Sequence, residues 1–160
     1  MAIYSGPIKK AIQSNKYQKD ISIGNDLSKM VAEYIKDLDI EFDMIIPVPL
    51  GKVRLAMRGY NQVGTFTFPL SLVFDVNYSP KALTRIRDTK PQVGLSAAER
   101  RNNVNNAFYA DHKLVHGKNI LVIDDVATTG ATLSSAADAL LNAQANKVVA
   151  VSIARAVTHN

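Results

Sequence analysis

The sequence predicts a single α/β domain, a parallel β-sheet flanked by helices, and three observations carry that prediction. The first is a set of short apolar runs rich in β-branched residues: Phe42 to Val48, Ile120 to Ile123 and Lys147 to Ile153. Runs that stay apolar without alternating read as strands buried on both faces, the condition of strands in a parallel sheet. The second is an amphipathic pattern between them. Leu27, Met30, Val31, Tyr34, Ile35 and Leu38 repeat at helical spacing and give one face to lay on a sheet. The third is length. A chain of 160 residues buries about two-thirds of its unfolded surface around one core, and no repeat, low-complexity tract or linker divides residues 1–160.

Composition narrows the class. With 47% hydrophobic and 21% charged residues the chain is an ordinary globular one. No apolar run approaches the roughly 18 residues of a membrane span, no secretory pattern opens the chain, and a cytoplasmic location is expected. The absence of cysteine excludes disulfides and thiolate metal sites, and His112, His116 and His159 lack metal-ligand spacing. A net charge of +5 and a pI near 9.5 suit a polyphosphate ligand and suit DNA equally.

From the start, Pro7 sits in a favourable first turn, followed by Ile8, Ala11 and Ile12 at helical spacing. Lys9, Lys10, Lys16 and Lys19 interleave with Tyr4 and Tyr17. They read as the wet face of an ordinary helix rather than as a nucleic-acid contact. Asp26 is placed to cap the next helix, which runs to about Leu38. The strand over Phe42 to Val48 closes on Pro47-Val48-Pro49. Leu50 to Gln62 follows it, with Gly51, Lys52, Arg54 and Arg58 just past the strand's C-terminal end, where open α/β sheets bind ligands. It is either a solvated loop or a cradle for pyrophosphate, with Gly51 admitting close backbone approach and Arg58 offering a bidentate fork.

Pro69 predicts a broken helix over Val63 to Val76, leading to a strand near Val73 to Val76. Ala82 to Arg87 reads as an edge strand. Beyond it Arg85 to Leu95, including Arg87 and Lys90, is basic and turn-rich. Ser96 and Glu99 then form a capping box for a short helix. A long basic segment between strands is either an active-site lid or a plain surface excursion.

The most informative stretch is Leu121 to Leu133, LVIDDVATTGATL. A buried strand emerges at Asp124 and Asp125, passes through Val126, Ala127, Thr128, Thr129, Gly130 and Ala131, and enters a helix at about Thr132. That helix carries Leu133, Ala136, Ala137, Leu140 and Leu141 on one face. A helix N-terminus offers unpaired N–H groups and a positive dipole end. Thr128 to Thr132 are placed to wrap those donors around a phosphate, with Gly130 allowing close approach. Two carboxylates beside a phosphate must face something other than the anion. Vicinal ribose hydroxyls are suited to them, because each donates to an ionised oxygen. No G-x-x-x-x-G-K-[ST] or G-x-G-x-x-G occurs. A final strand, Lys147 to Ile153, leaves Arg155 in the tail.

Leu121 to Leu133 resembles the phosphoribosyl pyrophosphate-binding signature of type I phosphoribosyltransferases. Taken with Ile8, Ile12, Lys16 and Tyr17, with Pro47 to Leu50, and with Arg58-Gly59-Tyr60-Asn61-Gln62, the chain resembles the ComF family of competence-associated phosphoribosyltransferase-like proteins. Arg85, Arg87, Thr89, Gln92, Leu95, Glu99, Arg100, Asn103 and Phe108 extend that likeness. Members commonly carry a four-cysteine zinc ribbon ahead of this domain, to which nothing here corresponds. The resemblance implies a type I phosphoribosyltransferase fold, a central parallel sheet flanked by helices with a flexible loop and a small hood. It implies phosphoribosyl pyrophosphate as substrate and Mg²⁺ held mainly by ligand and water, with Asp124 or Asp125 as its protein contact. Asp124 and Asp125 become ribose contacts, 127–132 the 5-phosphate loop, Leu50, Gly51 and Lys52 the pyrophosphate loop, and Arg85 to Gln92 part of a lid. The expected reaction is transfer of ribose 5-phosphate to a nitrogen acceptor, with Arg58 helping pyrophosphate to leave. The alternative is a non-catalytic sensor, or an accessory protein binding single-stranded DNA. A homodimer is common in this fold.

Overall fold

In the structure, a computed structural model, residues 2–17, 21–87 and 107–156 are described. Among them five strands make one parallel sheet. They are β1 (Ala2–Ile3), β2 (Met44–Pro47), β3 (Asn77–Tyr78), β6 (Asn119–Ala127) and β7 (Lys147–Arg155), in the order β1-β7-β6-β2-β3. The helices are α1 (Gly6–Tyr17), α2 (Ile21–Lys36), α3 (Lys52–Arg58), α4 (Gly64–Phe74), α5 (His112–Val115) and α6 (Ala131–Asn142). A separate antiparallel pair joins β4 (Leu83–Arg85) to β5 (Phe108–Ala110), bearing out an edge strand within Ala82 to Arg87.

The pleat distributes the central strands between two apolar layers, because successive side chains point to opposite faces. Ile120 and Val122 pack with Leu133, Ala136 and Leu140 of α6 and with Leu83 and Phe108 of the small pair. Leu121 and Ile123 pack with Ile12 of α1, Leu27, Val31 and Ile35 of α2, and Phe66 and Leu70 of α4. Runs apolar on both faces are what this arrangement requires.

The strand order reverses between β6 and β2. From β2 the chain moves outward to β3, whereas from β6 it moves the other way to β7. Connections therefore depart to opposite sides, and a crevice opens at the C-terminal ends of these two neighbours. Met44 to Pro47 lie beside Ile120 to Ile123, so Pro49, Leu50, Asp124 and Asp125 emerge together.

Several local expectations are corrected. Helix α2 starts at Ile21, five residues before the expected cap, and Asp26 lies inside it. Helix α4 continues through Pro69 to Phe74, and the strand after it is Asn77–Tyr78 rather than Val73 to Val76. Pro69 removes the N–H that would reach the Thr65 carbonyl, and α2 passes close to that oxygen: a Cβ on Gly24 would stand 2.7 Å from it. Gly24 is thus a helix-interior glycine used for close approach. Thr67 and Ser71 donate side-chain hydrogen bonds to the carbonyls of Val63 and Phe68, at 2.8 and 2.7 Å. Within α6, Leu141 is exposed, whereas Leu133, Ala136 and Leu140 are buried as expected. Arg155 ends β7 instead of lying in a tail.

Candidate functional site

Strand β6 continues past its apolar core to Ala127, so both acids belong to the strand rather than to the loop after it. Alternation sends Asp125 to the face of α1 and α4 and Asp124 to the face of α6. The pair therefore meets two different environments.

Asp125 is 6% exposed. Its Oδ2 accepts a 2.8 Å ion pair from Lys16 Nζ and a 3.1 Å hydrogen bond from Gln62 Nε2. Arg58 Nη1 donates to Gln62 Oε1 at 2.7 Å. The Gln62 carbonyl accepts from Asn15 Nδ2 at 3.0 Å. Tyr60 OH donates to the Asn15 carbonyl at 2.6 Å, and Thr65 Oγ1 to Asn15 Oδ1 at 2.8 Å. Asn61 Nδ2 donates to the Val48 carbonyl at 3.0 Å, which ties the block to the end of β2. Gly59, at φ 74°, makes the left-handed turn that ends α3 and aims these side chains. Each polar residue of Arg58-Gly59-Tyr60-Asn61-Gln62 thus has a partner in the wall of the site.

Asp124 is half-buried, and its Oδ1 accepts from the Asp125 N–H at 2.8 Å. Burial, and then the neighbouring charge of Asp125, push its carboxyl up to about 7; the Asp125 N–H, Lys16 and Arg85 pull the other way. A carboxylate with little water around it and a like charge beside it ionises reluctantly.

A cavity of about 300 Å³ opens over the acids. Of the residues expected at a site, it is lined by Leu50, Arg58, Arg85, Asp124, Asp125, Val126, Thr128 and Thr132. Ala127, Gly130 and Ala131 line a smaller adjoining depression at the start of α6, with Asp124, Val126, Thr128 and Thr132 shared between the two. Gly130 takes φ 79° at the N-cap of α6 without a side-chain cap. Arg85 reaches the cavity from β4, its guanidinium 5.4 Å from the centre of the Phe108 ring.

Other expected residues stand apart. Segment 52–58 is a helix, not a loop, and Gly51 is its buried N-cap while Lys52 points into solvent. Neither lines the cavity. Thr129 is exposed, and its Oγ1 accepts from the Ala131 N–H at 3.4 Å. Arg87 is exposed and outside the lining. Lys90 and the rest of the expected lid beyond Arg87 lie outside the described residues.

Lys16 and Gln62 were absent from the expected site, and Lys16 is corrected from a solvated helix face to the cavity wall. Arg54 also lines it. Arg54 and Arg58 are four apart on α3, so reading that segment as helical puts both on one face. For Lys16 helical periodicity gives no signal, because its partner is 109 residues away in sequence.

Among the described residues no group of three or more His, Cys, Asp or Glu side chains could hold a metal. The acid pair, one member already paired with Lys16, still fits a hard cation that takes most of its oxygens from a bound phosphate and water.

Residues 14–159 match the phosphoribosyl transferase domain. Competence protein F of Haemophilus influenzae is 32% identical over 164 aligned positions, covering 96% of this chain and 70% of that protein. The chain belongs to the ComF family of phosphoribosyltransferase-like proteins. Another relative of this ComF chain is the DNA utilization protein YhgH of Escherichia coli O157:H7, 35% identical over 88% of the chain. The chain spans 64% of that relative's length. Among solved structures, the glutamine phosphoribosylpyrophosphate amidotransferase of B. subtilis aligns with TM-score 0.59 at 16% identity, covering 89% of this chain and 30% of its own. The adenine phosphoribosyltransferase of Thermoanaerobacter pseudethanolicus aligns with TM-score 0.50 at 14% identity, covering 86% and 83%. These two likenesses establish the type I phosphoribosyltransferase fold of the ComF chain. No helix among the described residues is long and apolar enough to cross a membrane.

Proposed function

We propose that the cavity binds phosphoribosyl pyrophosphate with Mg²⁺, and that the chain transfers ribose 5-phosphate to a nitrogen acceptor in a cytoplasmic process linked to DNA uptake. The observation that carries this reading is the pairing, in one crevice at the sheet's switch point, of an acid pair with the uncapped N-terminus of α6 and a ring of cationic side chains. Arg54, Arg58 and Arg85 line it beside the Lys16 that already pairs with Asp125, which suits a ligand bearing more negative charge than two carboxylates would otherwise admit.

The roles follow from position. The backbone N–H groups of 128–132, with the Thr128 and Thr132 hydroxyls, receive the 5-phosphate at the positive end of the α6 dipole. Asp124 and Asp125 accept hydrogen bonds from the ribose hydroxyls. Arg58, Arg54 and Arg85 face the pyrophosphate, and as its bond to C1 breaks and the acceptor nitrogen bonds to C1, they hold the departing charge. Such fixed donors act where charge develops, and losing one commonly costs roughly 2.7–4 kcal/mol of transition-state stabilisation. Bound Mg²⁺ supplies further neutralisation of the polyphosphate. No strong base is required of the protein.

Thermal unfolding with phosphoribosyl pyrophosphate and Mg²⁺ tests the reading. Ligand at about 100 times its dissociation constant adds roughly 2.7 kcal/mol, a rise of roughly 5–10 °C for a domain of this size. An unmoved midpoint refutes it. The names of the relatives support a second reading, in which the basic domain assists DNA handling without catalysis. Steep salt dependence of single-stranded DNA binding, with no pyrophosphate released on adding nucleobases, selects that alternative.

A further inference from the structure

The C-terminal turn of α1 reaches into the crevice, and buried polar contacts hold it there. Asn15 is 1% exposed. Its backbone carbonyl, amide nitrogen and amide oxygen are each engaged, by Tyr60, Gln62 and Thr65. A buried amide so fully satisfied fixes its backbone, because letting go leaves several polar groups without water or partner. The next residue is Lys16, and its ammonium, pinned by that anchor, lies 2.8 Å from Asp125 Oδ2. Gln62 donates to the same oxygen while Arg58 holds Gln62 from its far side. Gln62 therefore presents its NH₂ to Asp125, since its own oxygen is committed to Arg58.

We infer that Lys16 and Gln62 are positioning residues: together they fix one oxygen of Asp125 and keep its charge in place for the sugar, which makes α1 an obligatory wall of the site. This rests on the ribose assignment proposed above and adds residues to it. Lys16 acts through Asp125, whereas the arginines act on phosphate. Its removal therefore weakens sugar recognition and leaves pyrophosphate recognition alone.

A double-mutant cycle of Lys16→Met and Asp125→Asn, read in two ways, tests this. In calorimetry, K16M and D125N each bind ribose 5-phosphate about tenfold more weakly than the parent, as expected when a charge-assisted bond is lost. K16M in the D125N background costs nothing further, Lys16→Arg recovers most of the loss, and inorganic pyrophosphate binds all four proteins alike. Equal weakening of pyrophosphate by K16M, or additive losses for ribose 5-phosphate, overturns the inference, because Lys16 would then touch phosphate directly. The second reading is unfolding of the ligand-free proteins, where the two substitutions are expected to be non-additive; additive midpoints also overturn it. Should the parent bind no ribose 5-phosphate at all, the proposed function and the sugar-positioning role fall together. A non-additive unfolding cycle would then mark the Lys16–Asp125 pair as architecture alone.

Discussion

Asp124 shows how one residue can tie stability to pH. Its folded value of about 7 lies above the ordinary 3.8, so between those pH values the folded chain keeps a proton that the unfolded chain has released. Stability falls wherever the unfolded state binds fewer protons. The contribution is complete below about pH 4 and lost as pH rises to about 7. Asp124→Asn has no such proton to hold. The difference in unfolding midpoint between parent and variant is expected to move steadily in the variant's favour over that interval, and to level off above it. A pH series of thermal melts reads this directly; a constant difference contradicts it. At about pH 8.5, where the carboxyl is ionised, the same variant is expected to bind ribose 5-phosphate roughly tenfold or more weakly, through loss of a charged acceptor. Calorimetry reads that loss. At this scale the sequence was legible for residue types and blind to partners. The acids, Thr128, Thr132 and Arg58 stand out by pattern, whereas Lys16 is one lysine among several until Asp125 is found beside it.

Among the elements, α2 and α4 pack closely where Gly24 faces Thr65. Gly24→Ala ordinarily strengthens a helix interior by about 1 kcal/mol, yet here the added carbon would stand 2.7 Å from the Thr65 oxygen, which is backbone and cannot swing away. The substitution is expected to destabilise by roughly 1–3 kcal/mol, measured by urea unfolding. Gain of stability would show that the helices separate freely. Asn61→Ala removes the tie to the Val48 carbonyl and is expected to cost about 1–3 kcal/mol by leaving that acceptor without its donor; denaturant melts of the variant measure it. The strands were legible because burial on both faces leaves an unbroken apolar run. Helix α3 was not, since none of its residues is buried and so no apolar stripe marks its period. Pro69 misled because proline breaks a helix in isolation, whereas α4 runs through it to Phe74.

Across the whole molecule, the site occupies the place where, among the described strands, the order of the sheet reverses. Its walls come from α1, from the end of β2 with α3, from β4 and from the β6–α6 turn. Binding therefore ties together segments from across the chain, and ligand should raise the cooperativity of unfolding as well as its midpoint. Hydrogen exchange in the presence of phosphoribosyl pyrophosphate is expected to slow the amides of α1 as much as those of β6; protection confined to β6 contradicts this. The parallel sheet and the switch point follow from the order of apolar runs, but the joining of α1 to the crevice depends on contacts that no local spacing records.

The alternation that carries Ile123 and Asp125 one way and Val122 and Asp124 the other has a consequence for how such a chain can change. Deleting a single residue between Ile120 and Ile123 would trade the two acids' places, even though each oily layer would still meet an apolar side chain. Drift in this strand is thus limited to exchanges of like for like, and an insertion can survive only in the loops on either side.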